Sequence, residues 1–241
     1  METEEKPSDA PQDYWVTLEQ QVREIVSGTM ATSKAIEELP LLSDATVQFF
    51  ERLTRDILET LPPSRPIACA QGCAFCCTST EVHASALEVI GIAAHMADQF
   101  NEQETKEISQ KIRETTETKG AQNKNESPPS MPCPLLKDSR CSVYPVRPFV
   151  CRGFNSYDAV DCERHKAGDA ETEITGYPHQ DIIAHATLRG VQRGLADCGL
   201  DGDALDLTPA LAIMLETPDA ALRWRAGENI FEKAHARQAR K

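Results

Sequence analysis

Apolar side chains recur along this chain mostly at helical spacing. From Tyr14 to about Leu39 the positions Val16, Val22, Ile25, Val26 and Met30 predict an amphipathic helix. A second helix is expected from near Asp44, whose carboxylate suits an N-cap, to about Leu61, with Val47, Phe50, Leu53 and Ile57 on one face. Pro62, Pro63 and Pro66 then stop it. Residues 81–100 read as a buried helix carrying Leu87, Val89, Ile90 and Ile92, and residues 101–119 as a polar, solvated one. The stretch 121–132, rich in Asn, Pro and Ser, is a linker or exposed loop.

Helical patterning returns in 179–196, which Gly199 is placed to terminate, and in 208–216 and 219–238. Strands are scarce, with Val143–Tyr144 and Phe149–Val150 the only plausible scraps. The expected architecture is therefore mostly α. Helices pack around a central cysteine-rich, turn-dominated metal-binding module at 67–165, with little or no sheet. Residues 1–13 form an acidic disordered tail, and 14–241 a single domain.

Charge and composition narrow the function. The formal net charge of −13 argues against a nucleic-acid or anionic-membrane surface. No run of about eighteen apolar residues exists to suggest a transmembrane helix. The first residues, Met1 to Lys6, lack a basic start and apolar core, so a reducing cytoplasmic location is expected. In such a compartment, nine cysteines point to metal or catalysis rather than to disulfides.

Eight of the nine fall into two clusters. The first is Cys69, Cys73, Cys76 and Cys77; the second is Cys133, Cys141, Cys151 and Cys162. Two residues between cysteines let a tight turn aim both sulfurs at one ion, and three place them one helical turn apart. Cys69, Cys73 and Cys76 are thus expected on one helical stripe. Cys77 points roughly 100° away from Cys76 on such a helix, so the pair either serves different metals or divides into a ligand and a supporting thiol.

Prolines and glycines, among them Pro66, Gly72, Pro134, Pro148 and Gly153, surround the clusters and suit rigid turns. Two zinc ions in eight thiolates carry a formal charge of about −4, and a [4Fe–4S]²⁺ centre on four thiolates about −2. Lys137, Arg140, Arg147 and Arg152 would offset much of either charge, or would form an anion or substrate site. Cys198 stands alone and reads as an ordinary core cysteine.

Cys69-x3-Cys73-x2-Cys76-Cys77, then Cys133-Pro-x-Leu, then Cys141-x-Val-Tyr-x-x-Arg-Pro-x-x-Cys151-Arg and Cys162 resemble the YkgJ-like, or CxxCxxCC, family of zinc- or iron-chelating domains. The resemblance covers about residues 67–165. It implies that Cys69, Cys73, Cys76, Cys77, Cys133, Cys141, Cys151 and Cys162 are the metal-site cysteines. The family's nickname has two residues between its first cysteines, whereas this chain has three.

Flagellin lysine N-methylases carry a related cluster, and Cys69-x3-Cys73-x2-Cys76 matches the spacing of radical S-adenosylmethionine enzymes. The chain lacks the strand–helix units of their usual barrel. Eight cysteines and the Cys-x3-Cys-x2-Cys start exceed what a simple structural zinc needs and lean towards iron, including an iron–sulfur cluster, with modification of a peptide or protein as a corollary. The alternative is a structural zinc module or a metal carrier or sensor. Nothing in the sequence speaks to oligomeric state.

Other residues invite comparison. His165, three residues after Cys162, and His83, near the first cluster, are candidate substitute ligands. Tyr144 is expected to pack against prolines, Trp15 and Trp224 to serve core or interface, and Gly190 and Gly194 to allow close helix packing.

Overall fold

A computed structural model describes residues 12–70, 72–78, 81–121, 131–169 and 171–236. The expected tail 1–13, most of the linker 121–132 and the basic end after 236 therefore lie largely outside the described residues. The architecture is mostly α. In chain order come α1 (Gln12–Thr32), α2 (Glu38–Thr60), β1 (His83–Ala84), α3 (Ala86–Gln99), α4 (Glu102–Gly120), β2 (Leu136–Lys137) and β3 (Arg140–Cys141). Then follow α5 (Phe149–Gly153), α6 (Ala159–Lys166), α7 (Pro178–Asp197), β4 (Leu205–Asp206), α8 (Leu207–Glu216) and α9 (Ala220–Arg225). No helix among the described residues is long and apolar enough to cross a membrane.

The α1–α7 pair forms one side of the core. A Cβ on Gly190 would lie 2.6 Å from the Val22 Cβ, and one on Gly194 2.8 Å from the Val26 Cβ. The two glycines thus let the helix backbones approach, as their spacing suggested. Arg189 and Arg193 both reach back to the buried Glu19, and Arg23 makes a two-pronged pair with Asp197. One apolar cluster runs from Leu18 on α1 through α2, α3, α7 and α8 to Phe231, with Trp224 fully buried in it. Trp15 is only partly buried and packs against this core.

Several expected boundaries shift. The second helix begins at Glu38, not near Asp44, and Asp44 instead accepts from Gln48. Pro40 falls in the first turn of α2, where a missing N–H leaves no helical bond unmade. The helix expected over 81–100 starts at Ala86, behind a Ser85–Glu88 capping box, because His83–Ala84 pairs antiparallel with Leu205–Asp206. The helix expected over 219–238 ends at Arg225, since Gly227 at φ 90° turns the chain away.

The anticipated strand scraps do not form. Tyr144–Val146 is a 3-10 turn and Phe149–Val150 opens α5. The second pairing is instead a hairpin, β2–β3, whose Asp138 and Ser139 both take positive φ, at 50° and 57°. That is the two-residue turn whose twist matches flanking strands.

Candidate metal centre

The first cysteine segment is not the expected helical stripe. Residues 62–70 and 72–75 run without helix, Gly72 takes φ 89°, and among the described residues of this segment only Cys76–Thr78 close a 3-10 turn. A single left-handed residue breaks helical register, so Cys69, Cys73 and Cys76 are presented by a loop.

Main-chain bonds tie this loop to both halves of the second cluster. At its entry the Ala68 N–H donates to the Ser156 carbonyl at 2.8 Å, and a backbone N–H of Ser156 donates to the Cys69 sulfur. At its exit the Cys133 N–H donates to the Cys77 carbonyl at 2.7 Å. Helix α6, which carries the buried Cys162, packs against the Cys76–Thr78 turn.

The second cluster is built on turns. The β2–β3 hairpin pairs Leu136 with Cys141, while the Leu136 N–H closes a turn onto the Cys133 carbonyl. Backbone N–H groups of Leu135 and Val143 donate to the sulfurs of Cys133 and Cys141. Donors aimed at sulfur favour the thiolate, the form that binds metal. Cys151 rides on the short α5, whose Phe149 N–H donates to the Glu88 carboxylate at 2.7 Å. The other oxygen of Glu88 accepts from Ser85, so one buried carboxylate caps two helices. The pattern of the sequence did not single out Glu88, although Ser85-x-x-Glu88 is a legible capping signature.

The four basic neighbours have separate fates. Arg152 is buried and bridges the carbonyls of Arg147 and Pro145 to the Glu51 carboxylate. Lys137 pairs with Glu104 on α4 at 3.1 Å, and Arg140 is exposed on the hairpin. Arg147 lies over the Tyr144 ring at 3.8 Å, and its charge acts on Cys76, Cys141 and Cys151. Tyr144 is thus exposed beneath a guanidinium. An anion site built from all four does not form.

Burial raises the Cys69, Cys141 and Cys151 thiols and pushes Cys133 up to about 11. Cys76 and Cys77 share a hydrogen bond; it raises Cys76, which burial raises further, and lowers Cys77. Electrostatic neighbours sort the sulfurs. Cys69 interacts with Cys73, Cys76 and Cys162, whereas Cys77 interacts with Cys76, Cys133, Cys141 and Cys151. The chemistry of this donor set, sulfur throughout, fits a soft metal.

Residues 68–175 match the family model for CxxCxxCC, described as "Putative zinc- or iron-chelating domain". The segment is similar to CxxCxxCC domains. No curated protein and no solved structure matches the chain. The domain reaches ten residues beyond the expected end at 165 and includes Thr175, whose carbonyl accepts from the Tyr157 N–H and whose hydroxyl accepts from Arg65. That return segment holds the loop between α5 and α6 in place.

Of the two candidate histidines, His165 is exposed with its Nδ1 3.4 Å from the Thr172 carbonyl, and His83 lies in β1. Cys198 packs against the core and donates to the Ser27 carbonyl. Among the described residues, one group of three ligand-type side chains lies within 4.8 Å of one another: Asp201, Asp203 and His235. His235 Nε2 is already bonded to Asp201 at 2.8 Å, which fastens the C-terminal segment to the loop after α7. No three of the described cysteine sulfurs meet that distance.

Proposed function

We propose that the chain is an iron–sulfur protein, its eight clustered cysteines holding iron and sulfide in a reducing compartment. One observation carries the choice of metal: eight cysteines stand in two clusters, the first with a Cys69-x3-Cys73-x2-Cys76 start, more sulfur than a single structural zinc uses.

The surroundings are consistent with that reading. Backbone N–H groups point at the sulfurs of Cys69, Cys133 and Cys141, and such bonds tune the potential of a cluster. Arg147 offsets the anionic charge that thiolates bring. When bound, the group would supply electron transfer or an open iron for chemistry on a peptide or protein. The chain's own residues supply the turns and donors that hold the sulfurs ready.

The test is optical. The full chain purified without oxygen is expected to be brown, with absorbance near 400 nm that bleaches on reduction. A colourless protein carrying stoichiometric zinc would overturn the proposal and return the zinc module as the better account.

A further inference from the structure

We infer that the eight thiolates form two separate four-sulfur centres of unequal accessibility: a held one on Cys77, Cys133, Cys141 and Cys151, and an exchangeable one on Cys69, Cys73, Cys76 and Cys162. This rests on the reading that the cysteines hold metal and goes further by dividing them.

The division follows the main chain. Sequence order would group the first four cysteines against the last four. The hydrogen bonds do otherwise. Cys77 is joined through its carbonyl to the Cys133 N–H, at the foot of the hairpin that carries Cys141. The α5 turn bearing Cys151 is fixed from the other side by Glu88 and Arg152. Cys69 is instead joined to Ser156, just before α6, which brings Cys162 against the Cys76–Thr78 turn. The electrostatic neighbours of Cys69 and Cys77 follow the same split apart from Cys76, which they share.

Cys76 is the seam. It acts on Cys69 but also on Cys133, Cys141 and Cys151. Since Cys77 completes four sulfurs with that second group, Cys76 completes four with the first. Cys76 and Cys77 share a hydrogen bond, so this pair is where the two centres meet.

The centres differ in cover. Cys133 and Cys141 pack against the apolar core, and none of Cys77, Cys133, Cys141 and Cys151 is exposed. Cys69 and Cys76 are exposed, on the loop that the Ala68 bond anchors at its entry, whereas their partner Cys162 is buried on α6. Opening that exposed loop frees two of the centre's four sulfurs, so its metal exchanges first.

The experiment follows metal release from the full chain into a chromogenic chelator, under anaerobic conditions, with the metal identified separately. The native chain is expected to lose metal in two phases of equal amplitude. Cys69→Ser and Cys162→Ser, checked for helicity by circular dichroism, are each expected to halve the metal content and abolish the fast phase alone. Cys141→Ser is expected to remove the slow phase. A single phase, or a Cys69→Ser chain that keeps or loses all its metal, would overturn the division. Finding zinc in place of iron would overturn the proposed function alone, because the two amplitudes uphold or overturn the division whichever metal is released.

Discussion

The Cys133 N–H donates to the Cys77 carbonyl at 2.7 Å, so the two cysteine segments meet backbone to backbone. The backbone therefore brings the turn that carries Cys77 and the start of the second cluster together. From Cys133 the chain then enters a hairpin whose turn has little freedom. Each part of this frame is held by contacts that substitution can remove.

Asp138 and Ser139 occupy left-handed backbone that a side chain tolerates poorly. Ser139→Gly is expected to stabilise the hairpin by about 0.5–1 kcal/mol, and Ser139→Val to cost about 1–2 kcal/mol. Chemical denaturation of the metal-loaded chain would measure both. Equal stability in the two variants would mean that the turn does not limit the frame.

Arg152 holds two carbonyls and one carboxylate from a buried position. Arg152→Ala leaves those acceptors without their donor and is expected to cost about 3 kcal/mol. Glu51→Ala removes the half-exposed partner and is expected to cost about 1 kcal/mol or less. Thermal unfolding of both variants gives the ranking, and the reverse order would contradict this picture of the clamp.

Glu88 accepts N–H bonds on both carboxylate oxygens, from Ser85 on one and Phe149 on the other. Glu88→Gln sets an amide NH₂ against one of those donors, at a cost of about 1–3 kcal/mol. Since Phe149 begins the helix of Cys151, metal retention is expected to fall along with stability. Unchanged metal content in a destabilised variant would separate the helix cap from the metal site.

His179 packs between Trp15 and Tyr177 with its Nδ1 buried and without a hydrogen-bond partner among the described residues. Burial lowers its pKa from the ordinary 6.5. Below that value the unfolded chain takes up a proton that the folded chain resists. The neutral ring's contribution is thus intact above about pH 6.5 and is lost as the pH falls below it. His179→Phe is expected to flatten the decline in melting temperature between pH 7 and 5. An unaltered slope would show that His179 does not titrate in this way.

The helical frame was legible because its apolar positions repeat at one period, as Val22 and Val26 on α1 meet Gly190 and Gly194 on α7. What escaped was local geometry. Pro40 looks like a breaker, yet it sits harmlessly in a first turn. Gly72 takes a left-handed φ that spacing alone cannot reveal, so a loop stands where a cysteine stripe was expected. The hairpin was hidden because Asp-Ser is a weaker turn signal than Asn-Gly. The identities of the clustered cysteines were plain from sequence. The proposed grouping was not, since it is argued from bonds at Ala68 and Cys133 that no motif encodes.

The central claim is that these cysteines hold iron with sulfide. Its most direct test is the amount of iron, zinc and acid-labile sulfide per chain in protein purified without oxygen, beside a chain with all eight clustered cysteines changed to serine. Iron and sulfide are expected in equal, stoichiometric amounts in the native chain, with neither in the serine chain. Zinc without sulfide, or iron that survives the loss of all eight thiols, would contradict the claim.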